Sequence, residues 1–328
     1  MVWGSSMRLL RGTLVLLWLV TLAAAGCQGS TAPQDACVAV DGAQVVTGDG
    51  AYPVPLPDGC TAWLFGDSLL RTPNGNVLMV HNTILARSRR TGSSISVHGG
   101  SDEYPTDLIP SADPWTVIWP GGGFVEGGSL QVFAEEIRVA GGDFHSTGQR
   151  FQVSLSLPDL RVTGRSAVYG GEISWGHAVL VQAGDVYVYG NRELDGWTNV
   201  TYLARFALGA SHGPWRFWDG HGFQKNPRHA APLEGPDGDR QVAKLASVIA
   251  LAEGIAAFTI DPCGATIDTR VAAHPWGPFS AKRSVFTIPE RDAYLPRASW
   301  VGSNLQIVYS VPDSPPRSVR LPAAVMIP

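Results

Sequence analysis

One short pattern recurs five times along this 328-residue chain: turn-forming residues followed by a strand in which apolar and aromatic residues alternate. The copies lie at 58–68 (DGCTAWLFGDS), 126–137 (EGGSLQVFAEEI), 183–193 (AGDVYVYGNRE), 252–261 (AEGIAAFTID) and 301–311 (VGSNLQIVYSV). Their aromatic anchors are 51 to 69 residues apart and are Phe65, Phe133, Tyr189, Phe258 and Tyr309. That interval is about the length of one four-stranded unit, so the repeat predicts a β architecture built from similar sheets.

The composition agrees with many short strands joined by tight turns. The chain has 38 Gly and 24 Pro, and only 16% of its residues are charged, which excludes a coiled coil, a helical bundle and a charged disordered chain. No stretch has the 3.6-residue period of a long core helix. We therefore predict an all-β fold, a single five-bladed β-propeller over residues 36–328, closed by a terminal strand from 317–327 or 37–46. A β-sandwich or two small β domains are the alternatives, because a turn followed by an alternating strand is a common element.

The N-terminus has the pattern of an export signal, residues 1–26. Arg8 and Arg11 precede the apolar run 13–25, which is too short to span a bilayer comfortably. The sequence AAGC that follows resembles a bacterial lipobox, in which Cys27 becomes the lipidated first residue. A plain cleavage immediately before Cys27 or one residue earlier stays open. We expect a lipoprotein of the cell envelope, at the outer membrane or surface, or a secreted protein.

Export changes the interpretation of the cysteines, because an oxidising compartment allows disulfide bonds. Residues 27–35 form a polar tether, and three further cysteines follow at Cys37, Cys60 and Cys263. Their three pairings stay open, and Cys37–Cys60 is the one that closes an N-terminal loop.

The net charge of −4, without basic clusters, argues against a nucleic-acid partner. We expect a monomer attached to the membrane through its lipid.

Two Gly-Asp pairs mark the densest chemistry in the chain. Asp49 and Asp67 lie on either side of a turn at Asp58-Gly59, so a hairpin would bring both carboxylates to the same end of one sheet. Glycoside cleavage needs such a pair: one carboxylic acid protonates the leaving oxygen, and one carboxylate activates water or attacks the anomeric carbon. Glu172, at the start of a predicted strand, is the candidate third carboxylate, either the general acid or a group that raises a neighbour's pKa. The alternatives are turn-forming aspartates and a solvent-exposed glutamate.

Several motifs in order resemble one known family. They are TAWLFGDSLL with HNTILA, VIWPGGGFVEGGSLQVF, ISWGHAVLVQAGDVYVYGNRE, GPWRFWDG, WGPFSAKRSVFTIPE and YLP with LQIVYS. The chain looks like a family of secreted bacterial five-bladed propellers, long described as a domain of unknown function, that includes endo-D-arabinanase-type glycoside hydrolases. The resemblance runs from about residue 45 to residue 310. It implies that Asp49 and Asp67 are the essential aspartates.

The same resemblance implies four substrate-binding residues: His81, Asn82, Trp119 and Trp175. Aromatic rings can stack on sugars, although the usual role of aromatics between sheets is to fill the core. Where relatives tend to carry a His after the YLP motif, this chain has Arg297 and Ser299.

Other chemistries have little support in the sequence. The histidines lack HExxH or close HxH spacing, and neither a G-x-S-x-G elbow nor a phosphate loop is present. We expect no cofactor and no metal site, although a calcium ion in the propeller axis would leave no sequence signature.

Two functions are consistent with the sequence. One is a cell-envelope glycoside hydrolase acting on D-arabinan-like, furanose-containing polysaccharide, and the other is a non-catalytic propeller that binds glycan or protein in its central pocket.

Overall fold

Antiparallel strands joined by tight turns make up most of this computed structural model, which describes residues 45–87, 94–194, 199–236, 245–260 and 265–326. The first strands are β1 (Val45–Gly48), β2 (Tyr52–Pro55), β3 (Thr61–Phe65), β4 (Ser68–Arg71), β5 (Val77–Val80), β6 (Thr83–Arg87), β7 (Ser94–Val97), β8 (Gly99–Ser101) and β9 (Tyr104–Thr106). The next are β10 (Thr116–Glu126), β11 (Ser129–Ala140), β12 (Asp143–Ser156), β13 (Val162–Ala167), β14 (Ser174–Gln182), β15 (Asp185–Glu193), β16 (Asn199–Ala207), β17 (Arg216–Trp218) and β18 (Phe223–Gln224). The last are β19 (Leu245–Ala250), β20 (Ile255–Ile260), β21 (Thr266–Ala272), β22 (Arg283–Thr287), β23 (Tyr294–Val301), β24 (Asn304–Ser310) and β25 (Arg317–Pro322). Short 3-10 helices lie at Pro227–His229 and Ala323–Met326, so the all-β prediction is confirmed.

Five sheets follow one another along the chain, and four of them are each built from a continuous segment. Their strand orders are β2-β3-β6-β7, β10-β11-β12-β13, β14-β15-β16-β17-β18, β19-β20-β21-β22 and β23-β24-β25. The strands β1, β4 and β5 form a smaller sheet, of which β4 and β5 lie between β3 and β6 in the chain, and β8 pairs with β9. Each repeat identified in the sequence supplies the second strand of one of the five sheets.

The five aromatic anchors occupy equivalent positions in these second strands and are all at most 3% exposed. They lie in clusters that pack one sheet against its neighbour, as the Phe133 ring does edge-on against Trp215, 5.6 Å away. Burying a side chain of this size stabilises the fold by roughly 1.5–3 kcal/mol. The repeated aromatic residues are therefore those that pack between successive sheets.

The first strands of the five sheets lie side by side. β2 contacts β10, which contacts β14, and the series continues through β19 to β23, which contacts β2. The first and last sheets are also joined by hydrogen bonds: Gly50 N donates to Ser310 Oγ at 3.3 Å, and Ser310 Oγ donates to Gly48 O at 3.3 Å. None of the described strands completes a sheet begun at the other terminus, whereas residues 37–44 lie outside the described part, so closure by that segment stays a prediction. β25 pairs with β24, and β1 pairs with β4.

The predicted leader, the tether and Cys27 lie outside the described residues, as do Cys37 and Cys263. Cys60 is buried and disulfide-bonded, and its pairing stays a prediction. In the part of the chain that the structure covers, no helix has the length and apolar character needed to cross a membrane.

Candidate active site

Asp49 and Asp67 face each other at one end of the β2–β3 hairpin. The amide of Asp49 donates to the carbonyl of Asp67 at 3.0 Å, and the amide of Gly66 donates to the carbonyl of Asp49 at 2.8 Å. The two aspartates continue the register that pairs Tyr52 with Leu64. Residues directly opposite in an antiparallel pair have Cβ atoms roughly 4.5–5.5 Å apart and share one face. The hairpin thus brings the two carboxylates together, as the turn between them predicts.

The carboxylate of Asp67 is held in place by two donors. His81 Nδ1 and Trp119 Nε1 each lie 2.8 Å from Asp67 Oδ1, and the Asp67 side chain is 16% exposed. The hydrogen bond to Asp67 raises the pKa of His81, more than burial lowers it. His81 is therefore favoured as an imidazolium that donates to Asp67. No described residue donates to Asp67 Oδ2, so this oxygen is the one available to substrate or water.

Asp49 has a different environment, because its partner is a phenol. The hydroxyl of Tyr294 donates to Asp49 Oδ1. Burial raises the pKa of Asp49, the Tyr294 hydrogen bond lowers it in part, and the charge of Asp67 raises it further. Burial and the bond to Asp49 raise the pKa of Tyr294, which therefore stays protonated as a donor. Asp49 therefore retains a proton to higher pH than an ordinary carboxyl group.

A third carboxylate near this pair is Asp107, which the sequence analysis missed. Its Oδ1 accepts the backbone amide of His81 at 2.6 Å. Burial raises the pKa of Asp107, and the negative charge of Asp67 adds to this effect. No motif marks Asp107, since the surrounding sequence YPTDLIP reads as an ordinary turn. Its place in the site comes from the packing of residues 107–109 against His81 and Asn82.

Asn82 has a structural role, so the prediction that it binds substrate is wrong. It is 1% exposed, its Nδ2 donates to the carbonyls of Ile109 at 3.0 Å and Ile118 at 2.9 Å, and its Oδ1 accepts the amide of Ile109 at 2.6 Å. Every polar group of the amide is used within the protein. Asn82 instead fixes the backbone next to Asp107 and Trp119.

Glu172 does not join the aspartates, contrary to the sequence prediction. Its side chain is 82% exposed and its Oε2 lies 3.3 Å from Arg192 Nη1, so it is a solvent-facing residue in an ion pair. The glutamate that enters the neighbouring pocket is Glu135 in β11. Ser174 Oγ donates to Glu135 Oε2 at 2.5 Å, and Arg150 Nη2 lies 2.8 Å from Glu135 Oε1. Two consecutive acidic residues directly after the apolar segment VFA were the signal for Glu135.

A family model described as a domain of unknown function, DUF5005, matches residues 41–311. The chain belongs to the DUF5005 family. A search of curated protein sequences finds no match.

Solved structures show the fold that this DUF5005 chain shares with other proteins. A candidate hydrolase from Bacteroides ovatus has a TM-score of 0.64 at 16% identity, over 80% of this chain and 79% of that one. The GH43_1 enzyme from Xanthomonas citri, complexed with xylose, has a TM-score of 0.54 at 12% identity, over 85% of this chain and 87% of that one. CoXyl43, a GH43 β-xylosidase/α-arabinofuranosidase from a compost microbial metagenome, has a TM-score of 0.52 at 12% identity, over 85% and 91%. The GH43 proteins are five-bladed propellers, and the likeness is one of fold.

The two predicted tryptophans of the DUF5005 chain differ in accessibility. Trp119 is partly exposed, and its Nε1 donates a hydrogen bond to Asp67. The centres of the Trp119 and Phe144 rings are 5.3 Å apart. Trp175 is 5% exposed, with its ring 5.6 Å from Phe217 and 6.2 Å from Trp215. Both line a pocket that also contains Glu135 and Ser174. Trp119 is therefore available for a ligand, whereas Trp175 mainly fills the space between sheets, which corrects its predicted role.

Calcium does not fit the cavity where the first strands meet. Ca²⁺ takes several oxygen ligands, usually carboxylates. No group of three or more His, Cys, Asp or Glu side chains within the described ranges is arranged to hold a metal. This cavity is instead lined in part by Arg297, whose positive charge repels a cation.

Proposed function

We propose that this protein is a glycoside hydrolase that cleaves furanose-containing polysaccharide of the D-arabinan type. The observation that carries the proposal is the Asp49–Asp67 pair, in which two neighbouring carboxyl groups have different environments. Burial and the charge of Asp67 raise the pKa of Asp49, against the opposing bond from Tyr294, whereas the Asp67 side chain accepts from His81 and Trp119. Environments that separate two carboxyl groups in this way are typical of an acid and its partner.

The reaction follows from this division of roles. Asp49 donates its proton to the glycosidic oxygen as the bond to the anomeric carbon breaks, and Tyr294 holds the Asp49 carboxyl group in place. Asp67 Oδ2 either removes a proton from the attacking water or attacks the anomeric carbon itself. Donors on Oδ1 fix the orientation of the carboxylate, so little reorganisation is needed in the transition state.

The proposed architecture is a single five-bladed propeller. The contact series of first strands from β2 to β23 and back to β2 supports closure, with one sheet per blade. The fold shared with the GH43 enzymes supports the same arrangement. In such a propeller Asp49, which precedes the first strand of its sheet, lies at the mouth of the central pocket.

Similar structures support a carbohydrate substrate. The Xanthomonas citri enzyme was crystallised with xylose, and CoXyl43 is a β-xylosidase/α-arabinofuranosidase in complex with xylotriose. The preference for D-arabinan is our inference from the motifs that resemble endo-D-arabinanase-type enzymes. The partly exposed ring of Trp119 beside Asp67 is the surface on which we expect a sugar to stack.

We further infer that the protein is exported and acts in the cell envelope, anchored through a lipid on Cys27. The disulfide bond of Cys60 supports an oxidising compartment. Mass spectrometry of the protein recovered from cell membranes tests this: a diacylglycerol-modified Cys27 is expected, and an unmodified N-terminus at Met1 would contradict it.

The function is tested by incubating the purified chain with D-arabinan, L-arabinan, fructan and arabinogalactan and measuring the oligosaccharides released. We expect release from D-arabinan above the other polymers. Release from only one of the other polymers would support the proposed hydrolase activity and identify a different substrate. Binding without any release would instead favour the non-catalytic propeller.

A further inference from the structure

Arg297 is a buried cation that has no anionic partner among the described residues. It lies in β23 with 1% of its surface exposed. Its Nε donates to the carbonyl of Gly50 at 3.1 Å, its Nη1 donates to the carbonyl of His177 at 3.3 Å, and its Cζ lies 3.7 Å from the centre of the Tyr52 ring. Its Nη2 has no hydrogen-bond partner in the described part of the chain. The contacts are with neutral groups, so the charge is not balanced.

Another buried arginine shows how this fold balances such a charge. Arg150 is 4% exposed, and its Nη2 lies 2.8 Å from the carboxylate of Glu135. A buried lysine or histidine could lose its proton, but arginine stays charged in proteins. Burial without a counter-charge is strongly unfavourable, and a donor without an acceptor adds to the penalty. Within the described part of the chain, Arg297 therefore lacks both a counter-charge and an acceptor for Nη2.

Arg297 also lines a small cavity at the place where the first strands of all five sheets meet. Its lining comes from β2, β10, β14, β19 and β23, and includes Gly122, Gly123, Ser247 and Arg297. It leaves about 40 Å³ open to the centres of water-sized spheres. One water needs roughly 10–15 Å³ by the same measure, whereas small-molecule sites measure roughly 300–1,000 Å³. The cavity can hold a monatomic anion but not a sugar ring.

We propose that this cavity binds a monovalent, halide-sized anion, chloride in the natural setting, against Nη2 of Arg297. The anion would accept the hydrogen bond that Nη2 otherwise lacks and balance the buried charge. Water could satisfy the donor but not the charge. Because the lining comes from all five first strands, the bound anion would stabilise their mutual packing. This site is separate from the Asp49–Asp67 pair and does not depend on the proposed hydrolase activity.

The test is thermal unfolding of the full chain in sodium gluconate, titrated with sodium chloride or sodium bromide at constant ionic strength. Constant ionic strength removes general screening, which would otherwise mimic binding. We expect a saturable rise in melting temperature of roughly 3–6 °C at about 100 times the dissociation constant. Arg297→Met should abolish the rise. Arg205→Met, which removes a surface arginine paired with Asp185, should retain it.

A second measurement covers the case in which Arg297→Met fails to fold. Crystals of the unmodified chain grown in bromide should show an anomalous peak within about 3.5 Å of Nη2, the range expected for a charge-assisted contact to a large anion. A melting temperature equal in gluconate and chloride would overturn the proposal. So would a water molecule, rather than bromide, at Nη2.

Discussion

The backbone amide of Asp49 donates to the backbone carbonyl of Asp67 at 3.0 Å, so the two carboxylates are held opposite each other by the hairpin itself. Their separation in the chain is short, and the turn at Asp58-Gly59 sets the register. The groups that distinguish their chemistry come from elsewhere: Tyr294 lies 245 positions from Asp49, and Trp119 lies 52 positions from Asp67. The pairing is local, whereas the division of roles depends on the folded chain.

Tyr294→Phe should shift the alkaline limb of the pH–rate profile to higher pH. The Tyr294 hydroxyl stabilises the charged form of Asp49 and lowers its pKa, so its removal raises that pKa. A general acid with a higher pKa stays protonated to higher pH. The profile of kcat/KM on the cleaved polymer measures the shift. A limb that stays in place or moves to lower pH would show that Asp49 is not the acid.

His81 should make the stability of the protein fall as pH rises above about 6.5. Its pKa is raised in the folded state from an ordinary value of 6.5, mainly by the hydrogen bond to Asp67. Between 6.5 and the raised value the folded state binds more protons than the unfolded state, so the free energy of unfolding decreases with pH in that window. Urea unfolding from pH 6 to pH 9 measures this decrease. His81→Gln should reduce it, the exposed His212→Gln should not, and equal slopes in all three proteins would refute the pairing.

Gly176→Ala should destabilise the protein by about 2–4 kcal/mol, because the change adds overpacking to backbone strain. Gly176 has a φ of +97°, and a Cβ there would lie 2.3 Å from Phe133 Cβ. Gly59→Ala is the matched control, since Gly59 has a φ of +83° but nothing within 4 Å of its would-be Cβ. We expect it to lose only about 1–2 kcal/mol. Urea denaturation compares the two variants, and equal losses would show that contact with Phe133 is unimportant.

Trp119→Phe should lower kcat roughly 10- to 150-fold, because a hydrogen bond to a charged group contributes about 1.5–3 kcal/mol. The ring surface is largely kept, whereas the Nε1 donor to Asp67 is lost. Trp115→Phe is the control, since Trp115 is 68% exposed. Steady-state kinetics separates the effects: a change confined to KM would indicate that Trp119 only binds sugar.

The sequence was informative wherever a feature depended on local pattern. The five aromatic anchors were found because a turn followed by alternating residues marks a buried second strand, and Asp49 and Asp67 were found because one hairpin relates them. Glu172 was misplaced because a strand start does not reveal which way its side chain points. Asn82 has its partners 27 and 36 positions away, so its burial could not be anticipated.

Residues missed by the sequence analysis share one property: their role depends on a neighbour in another sheet or loop. Asp107 meets His81, Glu135 meets Ser174, and Tyr294 meets Asp49 only after the chain has folded. Arg297 was noted only as a departure from the family pattern, and its burial without a counter-ion became evident from its surroundings.

The most direct test compares the rate at which the native protein, Asp67→Asn and Asp185→Asn release oligosaccharides from the best polymer. Asp185 is a surface carboxylate paired with Arg205, so its loss controls for the general effect of removing a charge. With folding verified by circular dichroism, we expect Asp67→Asn to lose more than ~100-fold in kcat and Asp185→Asn to stay near the native rate. An Asp67→Asn protein that retains at least a tenth of the native rate would contradict catalysis by this aspartate pair.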